Sequence, residues 1–144
     1  MDARRLNFPS NHFNVYLSPG VVEHFQTNDQ PRILDEARRV LKKDGRLLLV
    51  VPFINLIGEL KLPFIRLKEE AARRKGARFY QYRYTKQAIS QLLLKNGFEP
   101  IKYYFVGLHD TRIFGMRIIP RFLRTNRLLL CLFATTICVI SNKI

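Results

Sequence analysis

The chain has 144 residues and a mass of 17.0 kDa, about one small domain. Hydrophobic residues make up 47% of it, enough for a core and too many for a disordered chain. Lys and Arg outnumber Asp and Glu 25 to 11, a formal net charge of +14, and the stretch from Lys61 to Arg127 holds sixteen basic and four acidic residues. Such a surface attracts the phosphates of nucleic acid, anionic lipid or a phosphorylated substrate, or simply keeps a soluble face solvated; charge alone does not choose. The two cysteines, Cys131 and Cys138, share one apolar run. They offer no disulfide framework and no metal-ligand spacing, and read as reduced core residues of a cytosolic protein. The first residues, Met1 to Asn7, lack an apolar stretch of signal-peptide type.

Turn chemistry at Asn7-Phe-Pro-Ser-Asn11 leads into a first strand over His12–Ser18, with Phe13, Val15 and Leu17 at period two. From Gln30 to Lys42 the spacing of Ile33, Leu34, Ala37, Val40 and Leu41 predicts an amphipathic helix with a basic outer face. Lys42-Lys43-Asp44-Gly45 reads as its end, with glycine as a left-handed cap. Arg46–Pro52 is an uninterrupted apolar run, as in a strand buried on both faces of a parallel sheet. Strand, helix and strand with short links form a βαβ unit.

Residues 53–83 are less regular and end in a stretch where basic and aromatic residues interleave. Thr85 is a candidate N-cap for a helix carrying Ile89, Leu92, Leu93 and Leu94, which Asn96-Gly97 closes. Phe98–Val106 reads as a strand, and a further helix is expected around Pro120. Leu128–Ile140 holds 13 residues without a charge, short of the roughly 20 that a spanning helix needs. The β-branched residues from Thr135 to Ile140 favour a buried terminal strand, with an interfacial or spanning segment as the alternatives.

Four segments in this order resemble the second half of the class I S-adenosylmethionine-dependent methyltransferase domain, in its small-molecule subgroup. Asp2–Phe25 is similar to the stretch from the acidic residue after the third strand, through the fourth strand, to a Glu-His pair. Leu34–Pro52 resembles the "E-x-x-R-V-L-K-P-G-G" helix, turn and fifth strand. Tyr82-Arg-Tyr-Thr85 resembles the approach to the next helix in relatives that methylate small or lipid-linked acceptors. Leu92-Leu-Leu-Lys-Asn-Gly-Phe98 resembles the link into the sixth strand. Asn14 stands where the family usually has Asp, and Asp44-Gly45 replaces Pro-Gly or Gly-Gly.

The resemblance implies an α/β fold: the C-terminal part of a doubly wound Rossmann-like sheet. In it the strands at 12–18, 46–52 and 98–106 are parallel, and an antiparallel strand at 135–140 is inserted between the last two. It divides the chain into a donor-side unit (2–52), a lid and acceptor region (53–84) and a C-terminal helix and strands (85–144). It implies S-adenosylmethionine as cofactor, with Asp2 and Ala3 at the adenine and Ser18, Pro19 and Gly20 along the methionine portion. Glu23 and His24 are candidate catalytic groups, and Tyr80, Tyr82, Arg83 and Tyr84 candidate acceptor contacts. No metal ligand is expected. Each residue also has a plain structural reading: a frayed terminal Asp2, an ordinary turn at 18–20, helix-start packing for Glu23-His24, surface packing for the aromatics.

The family's glycine-rich loop and its ribose-binding acidic residue would precede Met1. The expectation is therefore a chain inactive by itself, with an open edge on its first strand, existing as a homo-oligomer or with a complementing N-terminal half. Its acceptor would be a small molecule or lipid-linked, in the cytoplasm, with peripheral contact to anionic membrane. A non-catalytic basic module binding nucleic acid or anionic membrane is the alternative.

Overall fold

The computed structural model describes residues 2–55, 81–106 and 134–144, together with the backbone of 112–113 and 116–117. Its elements in chain order are β1 (Phe13–Pro19), a 3-10 turn (Val22–His24), α1 (Gln30–Val40), β2 (Leu41–Pro52), α2 (Lys86–Lys95), β3 (Phe98–Val106), β4 (Arg112–Ile113), β5 (Met116–Arg117) and β6 (Thr136–Lys143). The main sheet has four strands in the order β1-β2-β6-β3. β1 and β2 are parallel, with Ser18 opposite Leu49. β6 runs antiparallel to both its neighbours: Val139 faces Leu49 on one side and Tyr103 on the other. The terminal strand thus sits between the second and third parallel strands, where the resemblance placed it, and carries the β-branched residues that favour that conformation.

Both helices cover one face of this sheet. Ile33, Leu34 and Ala37 of α1 and Ile89 and Leu93 of α2 join Leu47, Leu49, Val51, Ile137 and Val139 in a single buried cluster. These strand residues alternate with partly exposed ones, as the period-two geometry of a strand requires. α2 follows local chemistry: the Thr85 hydroxyl accepts from the Ala88 N–H at 3.1 Å, and Gly97, at φ +75°, closes the helix.

Two expectations are corrected. α1 ends at Val40, not Lys42, and Gly45 is not a left-handed cap, because the chain turns extended at Leu41 and β2 starts there. Gly45 is buried in an irregular stretch of the β1–β2 pairing, where an added Cβ would lie 2.9 Å from the Lys42 carbonyl oxygen and 2.9 Å from a Leu41 methyl. Its small size, not its φ, is what the fold uses. The period-two set of β1 is also split by a pairing shift: Phe13 packs on the core cluster, but Val15 and Leu17 are exposed, while Tyr16 packs on the core cluster and Ser18 is buried. The helix expected around Pro120 and most of the lid region lie outside the described residues.

Candidate functional site

The carboxyl ends of β1 and β2 are where an open α/β sheet presents its binding crevice. Three pieces of chain meet there. The first is the end of β1. Gly20 takes φ +66°, which favours glycine, and its N–H donates to the Val50 carbonyl at 3.0 Å. Ser18 is 3% exposed, and its hydroxyl meets no partner among the described residues.

The second piece is the turn that follows. It splits the Glu-His pair: Glu23 is 2% exposed and turned inward, while His24 is exposed. One Glu23 carboxylate oxygen, Oε2, is buried without a hydrogen-bond partner. Burial raises the Glu23 pKa above the ordinary carboxylate range, only partly offset by its own backbone N–H and by His24.

The third piece is the strip 82–84, laid across the strand ends. The Tyr82 N–H donates to the Glu23 carbonyl at 2.8 Å, and the Tyr84 N–H to the Pro52 carbonyl at 2.9 Å. This extended strip turns Tyr84 into the core and leaves Arg83 exposed. The Tyr84 hydroxyl is buried without a partner meeting hydrogen-bond geometry; desolvation, then the Glu23 charge, pushes its pKa well up. Tyr82 is half-buried, its hydroxyl 3.4 Å from the Thr27 hydroxyl. Tyr80 lies outside the described residues.

Asp2 and Ala3 reach the same end of the molecule through an arm that runs along α1. Ala3 packs against the core cluster. The Asp2 carboxylate accepts from the Arg4 backbone N–H at 2.9 Å, from Nε and from Nη2 at 2.8 Å. These bonds hold its pKa down at about 2, the side-chain bond to Arg4 being the largest cause. Arg4 also reaches Asp29 at 3.4 Å and lies over the Phe25 ring, 5.7 Å from its centroid.

The sequence set Glu36 and Arg39 at the E and R of the family-like E-x-x-R-V-L-K helix, with its basic outer face, but did not reveal their role. The structure turns both toward the arm, where they bind Leu6, Phe8 and Ser10. Their spacing of three was the available signal, since it lets two helical side chains pair. Among the described residues no three His, Cys, Asp or Glu side chains gather as a metal site, and no helix is long and apolar enough to cross a membrane.

This arrangement defines an α/β sheet with three segments converging at its carboxyl end, and comparison with known proteins shows what it resembles. Residues 1–49 match the family model described as a methyltransferase domain. No curated protein sequence matches the chain. Among solved structures, it is similar to a SAM-dependent methyltransferase from Methanosarcina mazei (TM-score 0.70, 17% identity, 100% of this chain and 65% of that one). It is also similar to the 1,6-didemethyltoxoflavin-N1-methyltransferase of Burkholderia thailandensis, solved with S-adenosylhomocysteine (0.63, 12%, 99% and 48%). A third is the magnesium protoporphyrin IX methyltransferase of Synechocystis, likewise with S-adenosylhomocysteine (0.57, 14%, 100% and 49%). The chain therefore spans about half to two thirds of these structures. The resemblance to the class I S-adenosylmethionine-dependent methyltransferases is upheld, by sequence over residues 1–49 and by fold over the chain.

Proposed function

We propose that these residues form one wall of a methyl-transfer site that uses S-adenosylmethionine and acts on a small-molecule or lipid-linked acceptor. The observation that carries the reading is that, of the four buried polar atoms without partners among the described residues, three, Ser18 Oγ, Glu23 Oε2 and the Tyr84 hydroxyl, lie in these segments, the fourth being Ser141 Oγ on β6. All three belong to the segments that meet at the carboxyl ends of β1 and β2. An unsatisfied buried polar group costs about 1–3 kcal/mol, so three near one crevice point to a ligand or ordered water that meets them.

The residues present fit the donor. Asp2 stays ionised far below neutral pH, and its carboxylate, exposed and held by four contacts from Arg4, can exchange one of them for an exocyclic amino group. Ala3 backs the ring, and Ser18, Pro19 and Gly20 line the amino-acid portion. The bound donor supplies a methyl group that is already strongly electrophilic. What is left to the protein is to orient the acceptor and exclude water. Tyr82, Arg83 and Tyr84 form the acceptor side, and the resemblance assigns Tyr80 the same role. Glu23, with its proton affinity raised by burial, takes the proton of an acceptor hydroxyl, and the exposed His24 next to it is the second candidate base.

Taken alone, the 144 residues contain no glycine-rich donor loop of the family type, so the proposal includes weak donor binding and no turnover by this chain by itself. A homo-oligomer or a complementing half would complete the crevice, and the +14 charge supports peripheral contact with anionic membrane. Calorimetric titration with S-adenosylmethionine tests the donor side. The expected dissociation constant for the isolated chain is no tighter than ~1 mM. A micromolar constant overturns the one-wall part of the proposal, and absence of donor-induced shifts in an NMR titration at several millimolar overturns the donor reading itself.

A further inference from the structure

The Arg39 guanidinium has five N–H groups, and five acceptors face them. Nε donates to Glu36 Oε1 at 2.9 Å. Nη2 donates to Glu36 Oε2 at 2.9 Å and to the Leu6 carbonyl at 2.9 Å. Nη1 donates to the Phe8 carbonyl at 2.8 Å and to Ser10 Oγ at 3.3 Å. Glu36 completes the circuit by accepting the Leu6 N–H at 2.9 Å. Leu6 is itself 8% exposed, so both of its backbone polar groups are satisfied by one ion pair of α1. The Asn11 and His12 N–H groups donate to the Arg39 and Val40 carbonyls and fix the arm's far end.

We propose that Arg39, oriented by Glu36, is a positioning residue for the donor's adenine contacts. It holds the arm from Leu6 to Ser10 and, through it, the turn that presents Asp2 and Ala3; the inference rests on the donor reading above. The arm has almost no regular hydrogen-bonded structure of its own, and ordering each such residue costs about 1–2 kcal/mol of conformational entropy. The turn from Asp2 to Arg5, closed by the Arg5 N–H to Asp2 carbonyl bond at 3.0 Å, follows directly from the clamped Leu6. A lysine cannot take this place, because an ammonium has three donors and no planar fork.

The test uses the whole 144-residue chain, with adenosine and L-methionine as separate NMR probes and amide exchange as an independent readout. In Arg39→Ala and Arg39→Lys, adenosine-induced shifts at Ala3 and Arg4 should titrate about tenfold more weakly, the worth of one charge-assisted bond. Methionine-induced shifts near Ser18–Gly20 should stay as in the wild type. The Leu6 amide should exchange faster while those of β2 and β6 keep their protection. Ser10→Ala, which removes only the longest contact, should fall between the two. If adenosine shifts the wild-type arm and the Arg39 variants respond alike, the positioning role is wrong. If adenosine shifts no wild-type arm residue, the donor reading fails first and this inference with it.

Discussion

Glu23 places a carboxyl where a carboxylate is poorly solvated, and stability should record this. Its folded pKa is raised, so the folded state favours the protonated form. That contribution is present below the unfolded carboxyl value and is lost as pH rises through the folded one. Glu23→Gln keeps the shape without the charge. The variant should be more stable than the wild type at pH 8, by about 1–2 kcal/mol in urea unfolding, with the gap closing towards pH 4. An equal effect at both values would mean that burial does not raise the carboxyl's pKa. Glu36 behaves in the opposite sense. The Arg39 bond, then the Leu6 N–H, hold its pKa at about 2, so its contribution is full above the unfolded value and lost as pH falls from there towards 2. Loosening of the arm, read by exchange at the Leu6 amide, should therefore begin below about pH 4.5. The sequence placed Glu23 and His24 together at a strand end but did not tell which faces inward. That choice is made by the 3-10 turn and by the backbone bond from Tyr82, a partner nearly sixty residues away.

At the scale of elements, local signals were readable and crowding was not. The α2 cap at Thr85 and the glycine at 97 act within a few residues, so both were legible in the sequence. Thr85→Ala should cost about 1 kcal/mol in chemical denaturation, and Thr85→Ser only a fraction of that. The helix end at Val40 was not legible: the extended Leu41 and a pairing shift between β1 and β2 replace the expected glycine cap. The two glycines should therefore respond differently to alanine. At Gly97 the nearest obstacle is Arg38 Cδ at 2.9 Å, a flexible side chain that can move, which leaves mainly the penalty of positive φ. At Gly45 the obstacle is the Lys42 carbonyl at the same distance, part of the backbone. Gly45→Ala should be the costlier change, about 2–3 kcal/mol against about 1 for Gly97→Ala. The reverse order would mean that residues 42–45 relax easily.

At the scale of the molecule, the sheet is lopsided among the described residues. Both described helices lie on one face, while on the other Val15 is 53% exposed, Leu17 61%, Tyr104 42% and Val106 51%. Leu48, Val50, Cys138 and Ile140 fill the space between them, half-buried. The period-two pattern of β1 holds for Val15 and Leu17, but a pairing shift puts Phe13 on the core side, and no sequence pattern could tell that Tyr16 and Ser18 are the residues turned inward. That assignment comes from packing against α1 and from the crevice, whose polar groups sit on the inner side. Doubly wound sheets bury both faces under helices, and among the described residues β1 pairs only with β2, so its outer edge offers unpaired backbone groups. An apolar face beside an open edge drives association. The isolated chain should sediment as an oligomer at roughly 50 µM, a concentration at which exposed apolar surface and free strand edges associate. Leu17→Lys puts a charge on that face next to the edge, at a side chain mostly in solvent. It should shift the distribution towards monomer and change the unfolding midpoint little, since surface substitutions usually fall within about 0.5 kcal/mol. The large positive charge opposes self-association at low ionic strength, so the oligomer should strengthen as salt rises. A wild-type chain that stays monomeric in both low and high salt would show that neither the face nor the edge needs a partner.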